Sequence, residues 1–479
     1  MTIPKSTTTS TETEPLLPKC VHVSSWLREG SWIVRKSIPV TGTYLLNITI
    51  KTSTVYAMGH LSAEELAGAA LGNTVASITA YSVIYGFLYS LDTLCSQAWT
   101  GARNKTLVGI YLQRAIVIIG IMYTAIFTLW LNAYKILHWV GQEEQMARYA
   151  AMYLRYTMLG APGYSLFEAL RKYQQAQGIM HAATLVVLIM SPINFVLVQH
   201  LVSNLGFVGA PIATSISFWC MFILLLGYTR LIKGHEAWGG WDRACLQDWG
   251  KMIRLAVPNI ISMAMEWCTT ELMVFFASYL GTIQVSAQYI MISVYAISCT
   301  PPWGISLAAT NRIGNYLGQG LAAEAKQTVN IVCILSLAYG MFATIFFGLV
   351  RSAYVPIFSG DAAVASTVAA VAPIFATIML FMSCNNVSTG ILRGLGRPDI
   401  TSIIEFASYY LVGFPLSYYF SALIYSTADT AICRLWFGLC MASVLAVASH
   451  LVYIYRTDWD KAANRAQANV RASEVKLKT

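Results

Sequence analysis

Apolar stretches long enough to cross a lipid bilayer recur along the whole chain. A membrane-spanning helix needs about 20 consecutive apolar residues, and a helix is the default form because it satisfies every backbone hydrogen bond internally. The sequence therefore predicts an all-α integral membrane protein with twelve transmembrane helices. We place them near residues 39–58, 67–94, 107–131, 149–170, 182–203, 208–230, 255–278, 286–309, 328–350, 365–391, 401–423 and 431–453.

The composition of the 479-residue chain agrees with this class. Charged residues make up only 11% of the sequence, whereas a soluble domain has about 25%, which excludes an ordinary soluble enzyme and a disordered chain. In the twelve-span topology, 24 Lys and Arg residues fall on the side of the termini and three on the other side. Because such cations mark cytosolic loops, we expect both termini to be cytosolic. The net charge of +9 then orients the protein in the membrane and implies no nucleic-acid partner.

The ten cysteines give no sign of a disulfide framework. They form no CxxC motif, and eight of them lie in or beside apolar runs, where cysteine commonly serves as a small hydrophobic residue. We therefore expect no disulfide, no metal site and no cofactor.

The polar N-terminal tail contains one possible sorting signal. Glu12 stands four residues before the dileucine Leu16-Leu17, a spacing typical of endosomal and vacuolar sorting signals. A chance match in a disordered tail explains the pattern equally well. We favour a vacuolar or endomembrane location, with the plasma membrane as the alternative.

The chain reads as two copies of one unit. Pro39 and Pro258 stand at the start of corresponding spans, and the stretches SQAWTGA (96–102) and GNYLGQG (314–320) align at nearly the same offset. Parallel repeats of this kind place a substrate cavity between the halves. We divide the chain into a cytosolic tail (1–37), an N-lobe of helices 1–6 (38–230), a cytosolic linker (231–254), a C-lobe of helices 7–12 (255–453) and a cytosolic C-terminal tail (454–479).

Several stretches resemble the MATE (multidrug and toxic compound extrusion) family, in particular its eukaryotic and fungal members. They are MGHLSAEELAGAAL (58–71), GFLYSLDTLCSQAWTGAR (86–103), VPNIISMAMEWCTTELMVF (257–275), ATNRIGNYLGQG (309–320) and STGILRGLGRP (388–398). The resemblance implies two pseudo-symmetric six-helix bundles around a central cavity. It also implies a monomeric antiporter that exports small organic or xenobiotic compounds in exchange for H⁺ or Na⁺.

Acidic residues inside predicted spans are the first candidates for ion coupling, because a charge in hydrocarbon is costly. The resemblance assigns the coupling acid to the pair Glu266-Trp267, although a glutamate in a helix contact is the alternative. Glu271 lies about 140° further round the helix, so it acts with Glu266 only if a kink at Pro258 turns both toward the cavity. The first lobe has Asn47 at the position equivalent to Glu266, which favours H⁺ over Na⁺ as the coupling ion.

The other charges in predicted spans have competing interpretations. Asp92 is expected to cap a helix or to pair with a loop cation such as Arg103, and Glu168 to pair with Arg171 or Lys172 one turn away. Glu405 contacts substrate or pairs with the intramembrane Arg434. Lys51 is unusual in a first span and is a candidate for the cavity wall.

Polar and aromatic side chains complete the candidate site, although most aromatic residues of such a chain belong to the core or to interfacial belts. Candidates for the cavity wall are Asn47, Lys51, Trp267, Tyr289, Tyr295, Trp303, Asn385, Asn386 and Glu405; candidates for structural or gating roles are Pro39, Asp92, Gln97, Pro258, Asn315 and Arg393.

Two other functions compete with antiport. A flippase of lipid-linked sugars would share the wider superfamily fold but would need a more cationic cavity, to which only Lys51 points. A membrane-embedded transferase would need an intramembrane histidine or a nucleotide-binding loop, and His200 and His450 lack a partner motif.

Overall fold

The computed structural model describes residues 23–59, 61–350, 361–422 and 428–476, and this part of the chain contains helices and no strand. The possible sorting signal at Leu16-Leu17 lies outside the described residues. So does Arg351, one of the three Lys and Arg residues counted on the side opposite the termini. The helices of the first half are α1 (Val23–Met58), α2 (Ala63–Ala76), α3 (Ser82–Gly101), α4 (Thr106–Leu131), α5 (Ala133–Trp139), α6 (Glu144–Ala176), α7 (His181–Leu205) and α8 (Gly209–Leu231).

The second half repeats this architecture and adds a helix at its end. Its helices are α9 (Gly250–Leu280), α10 (Thr282–Ser298), α11 (Thr300–Gln319), α12 (Ala322–Leu349), α13 (Ala362–Gly394), α14 (Pro398–Glu405), α15 (Phe414–Ala422), α16 (Ala428–Arg456) and α17 (Trp459–Lys476). Wider π-helical turns at Ser77–Tyr81 and Phe406–Gly413 join α2 to α3 and α14 to α15.

The prediction of an all-α membrane protein with twelve spans is confirmed. Each predicted span overlaps helix in the structure, and eight helical stretches of the described residues are long and apolar enough to cross a membrane. One of these stretches, His181–Leu231, contains two predicted spans. Three predicted spans are built from two helices each, namely α2 with α3, α10 with α11, and α14 with α15.

The C-terminal segment, predicted as a polar tail, forms the amphipathic helix α17. Trp459, Ala463, Ala466 and Val470 recur at helical spacing and are buried on one face, as expected for a helix that lies on a protein surface. The Oε1 atom of Glu474 accepts a hydrogen bond from the backbone N–H of Asn104 in the N-lobe at 3.0 Å. The described N- and C-terminal residues lie at the same end of the molecule, which we call the inner end.

The two lobes meet at the inner end in a close contact between α3 and α11. In the GNYLGQG stretch, Gly314 lies against Ser96 and Gly318 against the backbone of Gln97, and neither site has room for a Cβ atom. A Cβ atom on Gly101 would lie 2.7 Å from the carbonyl oxygen of Gly318. The glycines of both motifs therefore permit backbone-to-backbone packing that larger residues would prevent.

Hydrogen bonds from the N-lobe to C-lobe carbonyls complete this contact, which we call the inner seam. Thr93 Oγ1 donates to the Arg393 carbonyl at 2.6 Å, Gln97 Nε2 to the Gly394 carbonyl at 3.2 Å, and Thr100 Oγ1 to the Asn315 carbonyl at 2.6 Å. All three donors lie on α3.

A carboxylate near the start of α1 forms a second connection between the lobes. Glu29 accepts two hydrogen bonds from the Arg312 guanidinium at 2.7 Å each, and Tyr316 and Thr328 donate to it at 3.1 Å each. Burial by itself would raise the pKa of Glu29, but the hydrogen bonds and the positive charge of Arg312 outweigh burial and hold the pKa below its usual value of 4.5.

We predict that Glu29→Gln lowers the thermal stability of the detergent-solubilised protein, by about 1–3 kcal/mol at neutral pH for a lost charge-assisted hydrogen-bond pair. A carboxylate with a lowered pKa stabilises the fold above its unfolded-state pKa and loses this effect as the pH falls through the folded-state value. The difference from wild type should therefore be full at pH 7 and shrink below about pH 4.5.

The midpoint of thermal unfolding, measured across this pH range, checks the prediction. Glu143→Gln, at an exposed acid elsewhere in the molecule, is the matched control and should leave the midpoint unchanged. A stability difference for Glu29→Gln that stays constant from neutral to acidic pH contradicts the assignment.

Candidate functional site

A cavity of about 410 Å³ lies between the lobes, on the outer side of the inner seam. Helices α1, α3 and α6 form its N-lobe wall, and α9, α10, α11, α13, α16 and the span that contains α14 and α15 form its C-lobe wall. Its size falls within the range of about 300–1,000 Å³ that is usual for sites of small organic ligands.

The acids Glu266 and Glu271 both line the cavity. Their side chains point about 140° apart, yet α9 has no buried residue between Asn259 and Met273. The cavity therefore extends around a wide arc of this helix and reaches both carboxyl groups. Pro258 lies within α9, which continues as one helix on both sides of it.

Glu405 is a third acid on the same wall. It ends α14 directly before the π-helical turn Phe406–Gly413, and Tyr409 and Tyr410 of that turn also line the cavity. The alternative interpretation, a pair with Arg434, is wrong. The charged groups that act on Glu405 are Glu266 and Arg393, whereas Arg434 Nη1 donates to the carbonyl of Phe420 at 3.4 Å.

Arg393 connects the acidic wall to the inner seam. Its guanidinium lies 4.1 Å from the ring centre of Tyr89 and interacts electrostatically with Glu266 and Glu405. Its backbone carbonyl accepts the seam hydrogen bond from Thr93. One residue of α13 thus contacts the cavity through its side chain and the seam through its backbone.

The N-lobe wall carries positive charge. Tyr44, Asn47 and Lys51 follow one another along a single face of α1, and all three line the cavity. Arg171 of α6 lines it as well, and its Nη2 atom donates to Glu168 Oε2 at 2.5 Å. The predicted pairing of Glu168 with a cation one turn away is thus confirmed for Arg171.

Asp92 lies inside the N-lobe rather than at a loop. Its Oδ2 atom accepts a hydrogen bond from Lys172 Nζ at 2.6 Å, and both side chains are almost completely buried. The predicted partner Arg103 is therefore wrong, because α6 continues to Ala176 and carries Lys172 into contact with α3. Arg171 and Lys172, which were counted with the cytosolic loop cations, are both buried.

Most of the aromatic and amide candidates lie where the sequence predicts. Trp267, Tyr295, Trp303, Asn385 and Asn386 line the cavity along with the charged residues. Trp303 Nε1 donates to Asn386 Oδ1 at 3.2 Å, which orients that amide.

One aromatic candidate is wrong. Tyr289 is 57% exposed on the outer face of α10 and is not among the residues that line the cavity. Ile292, three residues further along α10, and Tyr295 lie on the cavity face of this helix instead.

The residues predicted for structural or gating roles occupy distinct places. Pro39 lies within α1, where its carbonyl accepts a hydrogen bond from Thr184 at 2.6 Å. Gln97 and the backbone of Asn315 belong to the inner seam. The roles themselves stay predictions.

The cavity wall also contains residues that the sequence did not predict, namely Tyr44, Tyr85, Tyr164, Arg171 and Trp436. Tyr44 was recognisable, because it stands on the same helical face as Asn47 and Lys51. The others come from helices whose orientation only the packed bundle defines. Among the residues that the structure describes, no group of three or more His, Cys, Asp or Glu side chains could hold a metal ion.

Comparison with known proteins gives a consistent result. The MatE family model matches residues 39–199 and again residues 258–419. The chain is 33% identical to an uncharacterized transporter of Schizosaccharomyces pombe, over 91% of this chain and 81% of that protein. It is 30% identical to Multidrug and toxin extrusion protein 1 of Homo sapiens, over 95% of this chain and 80% of that protein.

Solved structures share the fold. The crystal structure of the eukaryotic MATE transporter AtDTX14 superposes with a TM-score of 0.84 at 23% identity, covering 93% of this chain and 99% of that one. The Vibrio cholerae MATE transporter VcmN in the bent form gives a TM-score of 0.79 at 14% identity, covering 94% of this chain and 99% of that one.

We predict that Asp92→Asn destabilises the protein strongly, by about 3–5 kcal/mol, because it leaves the Lys172 ammonium buried without its charged partner. Thermal unfolding in detergent checks this. The exposed pair Glu144–Arg148, also 2.6 Å apart, is the matched control, and Glu144→Gln should leave the midpoint unchanged. Equal effects of the two substitutions would contradict a special role for burial.

Proposed function

The chain belongs to the MATE family of multi-pass membrane transporters, and we propose that it is a secondary antiporter that exports organic or xenobiotic compounds from the cytosol in exchange for protons. Relatives named for multidrug and toxin extrusion support the export of organic compounds. The chain is a transporter rather than an enzyme.

One observation carries the proposal: Glu266 faces a cavity between two lobes whose inner ends are in contact. An ionised carboxylate surrounded by aromatic and aliphatic side chains is costly unless a cation accompanies it. A proton or a positively charged substrate satisfies this requirement equally well. The two therefore compete for Glu266, and competition for one site is the simplest form of exchange.

Alternating access requires that the two conformations bind the proton with different affinity. In the conformation described here the inner seam is closed. Opening of the seam separates α3 from α11 and α13, which moves the backbone of Arg393 away from Thr93. Because the Arg393 side chain interacts with Glu266, this movement alters the electrostatic environment of the carboxylate and links its protonation to access.

We propose H⁺ rather than Na⁺ as the coupling ion and no cofactor. The cavity face of α1 offers Tyr44, Asn47 and Lys51, which supply a positive charge where a metal cation would need a carboxylate. The acids of the cavity lie on the opposite wall. Glu271 and Glu405 assist Glu266 in this proposal, since all three contact the same space.

The orientation and location of the protein are part of the proposal. Without the buried Arg171 and Lys172, 22 Lys and Arg residues against three still support cytosolic termini, so that the inner seam faces the cytosol. The dileucine at Leu16-Leu17 favours the vacuolar membrane, with export into the lumen.

Lys51 and Arg171 give some support to a lipid-linked sugar flippase, whose substrate is anionic. Three carboxyl groups on the C-lobe wall make that substrate class less suitable. A membrane-embedded transferase has less support. His200 Nε2 lies 3.2 Å from Asn204 Nδ2 on the exposed last turns of α7. His450 is buried in α16 and does not line the cavity.

We predict that Glu266→Gln abolishes substrate efflux driven by a pH gradient in reconstituted liposomes, because glutamine cannot exchange a proton. Flux of a fluorescent organic cation, measured with and without the gradient, checks this. Glu64→Gln, at an exposed acid in the first turn of α2, is the control and should transport as wild type does. Gradient-driven flux at the wild-type rate in Glu266→Gln would show that another group couples the proton.

We predict that replacing Leu16 and Leu17 together by alanine moves a fluorescently labelled chain from the vacuolar to the plasma membrane. Microscopy of intact cells checks the location. Ile3→Ala, an apolar substitution elsewhere in the same tail, should leave it unchanged. An unaltered location of the double variant means that the dileucine is a chance match.

A further inference from the structure

Lys51 is the first of two unusual cations beside the cavity. It lies in the middle of a membrane-spanning helix, where a charge is costly unless it has a partner or a function. Its side chain is exposed to the cavity, and the described residues place no carboxylate within ion-pair distance of it. The nearest acid that affects it electrostatically is Glu168, which already pairs with Arg171.

Arg171 adds positive charge to the same wall. Its side chain is 2% exposed, and its guanidinium lies 5.3 Å from the ring centre of Tyr44. Its Nη2 atom is bonded to Glu168, while Nε and Nη1 are buried without a hydrogen-bond partner, which is rare in proteins and costly. Because these atoms lie below the cavity surface, Arg171 acts on an anion through its charge, and Lys51 is the cation that a ligand can contact.

The charges of the two walls are opposite. Lys51, Arg171 and Glu168 leave one net positive charge on the N-lobe wall. Glu266, Glu271 and Glu405, with Arg393, leave a negative C-lobe wall whenever the acids are ionised. The cavity is therefore electrically bipolar, and its poles lie on the two lobes that move relative to each other during transport.

Aromatic rings also line the cavity on both lobes. Tyr44, Tyr85 and Tyr164 contribute from the N-lobe, and Trp267 and Trp436 from the C-lobe. Such rings stack on flat molecules and on delocalised cations.

We propose that Lys51 forms an anion-binding subsite on the N-lobe wall, to which Arg171 adds positive charge, and that this subsite distinguishes organic cations that carry a carboxylate or phosphate group from those that do not. This inference rests on the proposed function for its transport consequence but concerns a different wall of the site. The acidic wall exchanges protons for the cationic group of the substrate. The anion subsite does not compete with protons and determines which compounds enter.

A pair of dyes that differ by one charge tests the subsite. The probes are an amino-substituted xanthylium dye that carries a free benzoate group and the methyl ester of the same dye, which is a simple cation. Their affinities for the detergent-solubilised full chain are measured by fluorescence anisotropy. Wild type should bind the benzoate form about tenfold more tightly, which corresponds to one charge-assisted hydrogen bond.

Substitution of Lys51 identifies the group responsible. Lys51→Met should abolish the preference for the benzoate dye without weakening the binding of the ester, whereas Lys51→Arg should keep the preference. Lys135→Met, at an exposed lysine of α5 far from the cavity, is the matched control. Lys51 is chosen because a substitution of Arg171 would leave Glu168 buried without its partner.

Two outcomes overturn the subsite: equal affinity of wild type for both dyes, or equal loss of both dyes in Lys51→Met. The proposed function has a separate test, since gradient-driven flux of the ester requires Glu266 but not Lys51. If wild type shows no gradient-driven flux of the ester but keeps its preference for the benzoate dye in binding, proton antiport is refuted and the subsite is supported. Ester flux without any benzoate preference refutes the subsite and supports antiport.

Discussion

The cost of an ionised side chain in hydrocarbon determines where each intramembrane charge of this protein lies. Two pairs, Asp92 with Lys172 and Glu168 with Arg171, are buried in the N-lobe at 2.6 and 2.5 Å. Lys51, Glu266, Glu271, Arg393 and Glu405 face the cavity instead. In the cavity a group can lie within the membrane thickness and still reach water, so the same constraint that pairs some charges exposes the others.

The two lobes meet this constraint differently, although they share a fold. The N-lobe neutralises its acids internally with cations of α6, which makes them structural. The C-lobe leaves Glu266 and its neighbours facing the cavity, on a helix with few buried residues. At the position equivalent to Glu266 the N-lobe has Asn47. The two lobes share one helical architecture, but in the proposed antiport only the acids of the C-lobe exchange protons.

Much of this arrangement follows from the sequence, because hydropathy and repeat spacing depend on residues near one another along the chain. They predicted the twelve spans and a cavity between halves, and the spacing of Glu168 and Arg171 predicted their ion pair. Other features depend on how helices are rotated in the bundle. Lys172 reaches Asp92, 80 residues away, only because α3 packs on α6. Tyr289 was misplaced because α10 has polar residues both on its exposed face, at Ser286 and Ser293, and on its buried side, at Gln284 and Gln288, so the sequence does not mark the cavity face.

The hydrogen bonds that close the inner seam have a small combined free energy, so a modest change in conformational free energy can break them. Its three hydrogen bonds run from α3 side chains to backbone carbonyls of the C-lobe, and each contributes about 1 kcal/mol once water can replace it. Reversal of a conformational equilibrium from 1:99 to 99:1 takes about 5.5 kcal/mol. Binding of a proton shifts this equilibrium by about 1.4 kcal/mol for each unit by which the pKa of the binding group differs between the two states. In the proposed antiport, a difference of a few pKa units at Glu266 between the two states is therefore of the size that would open or close this seam.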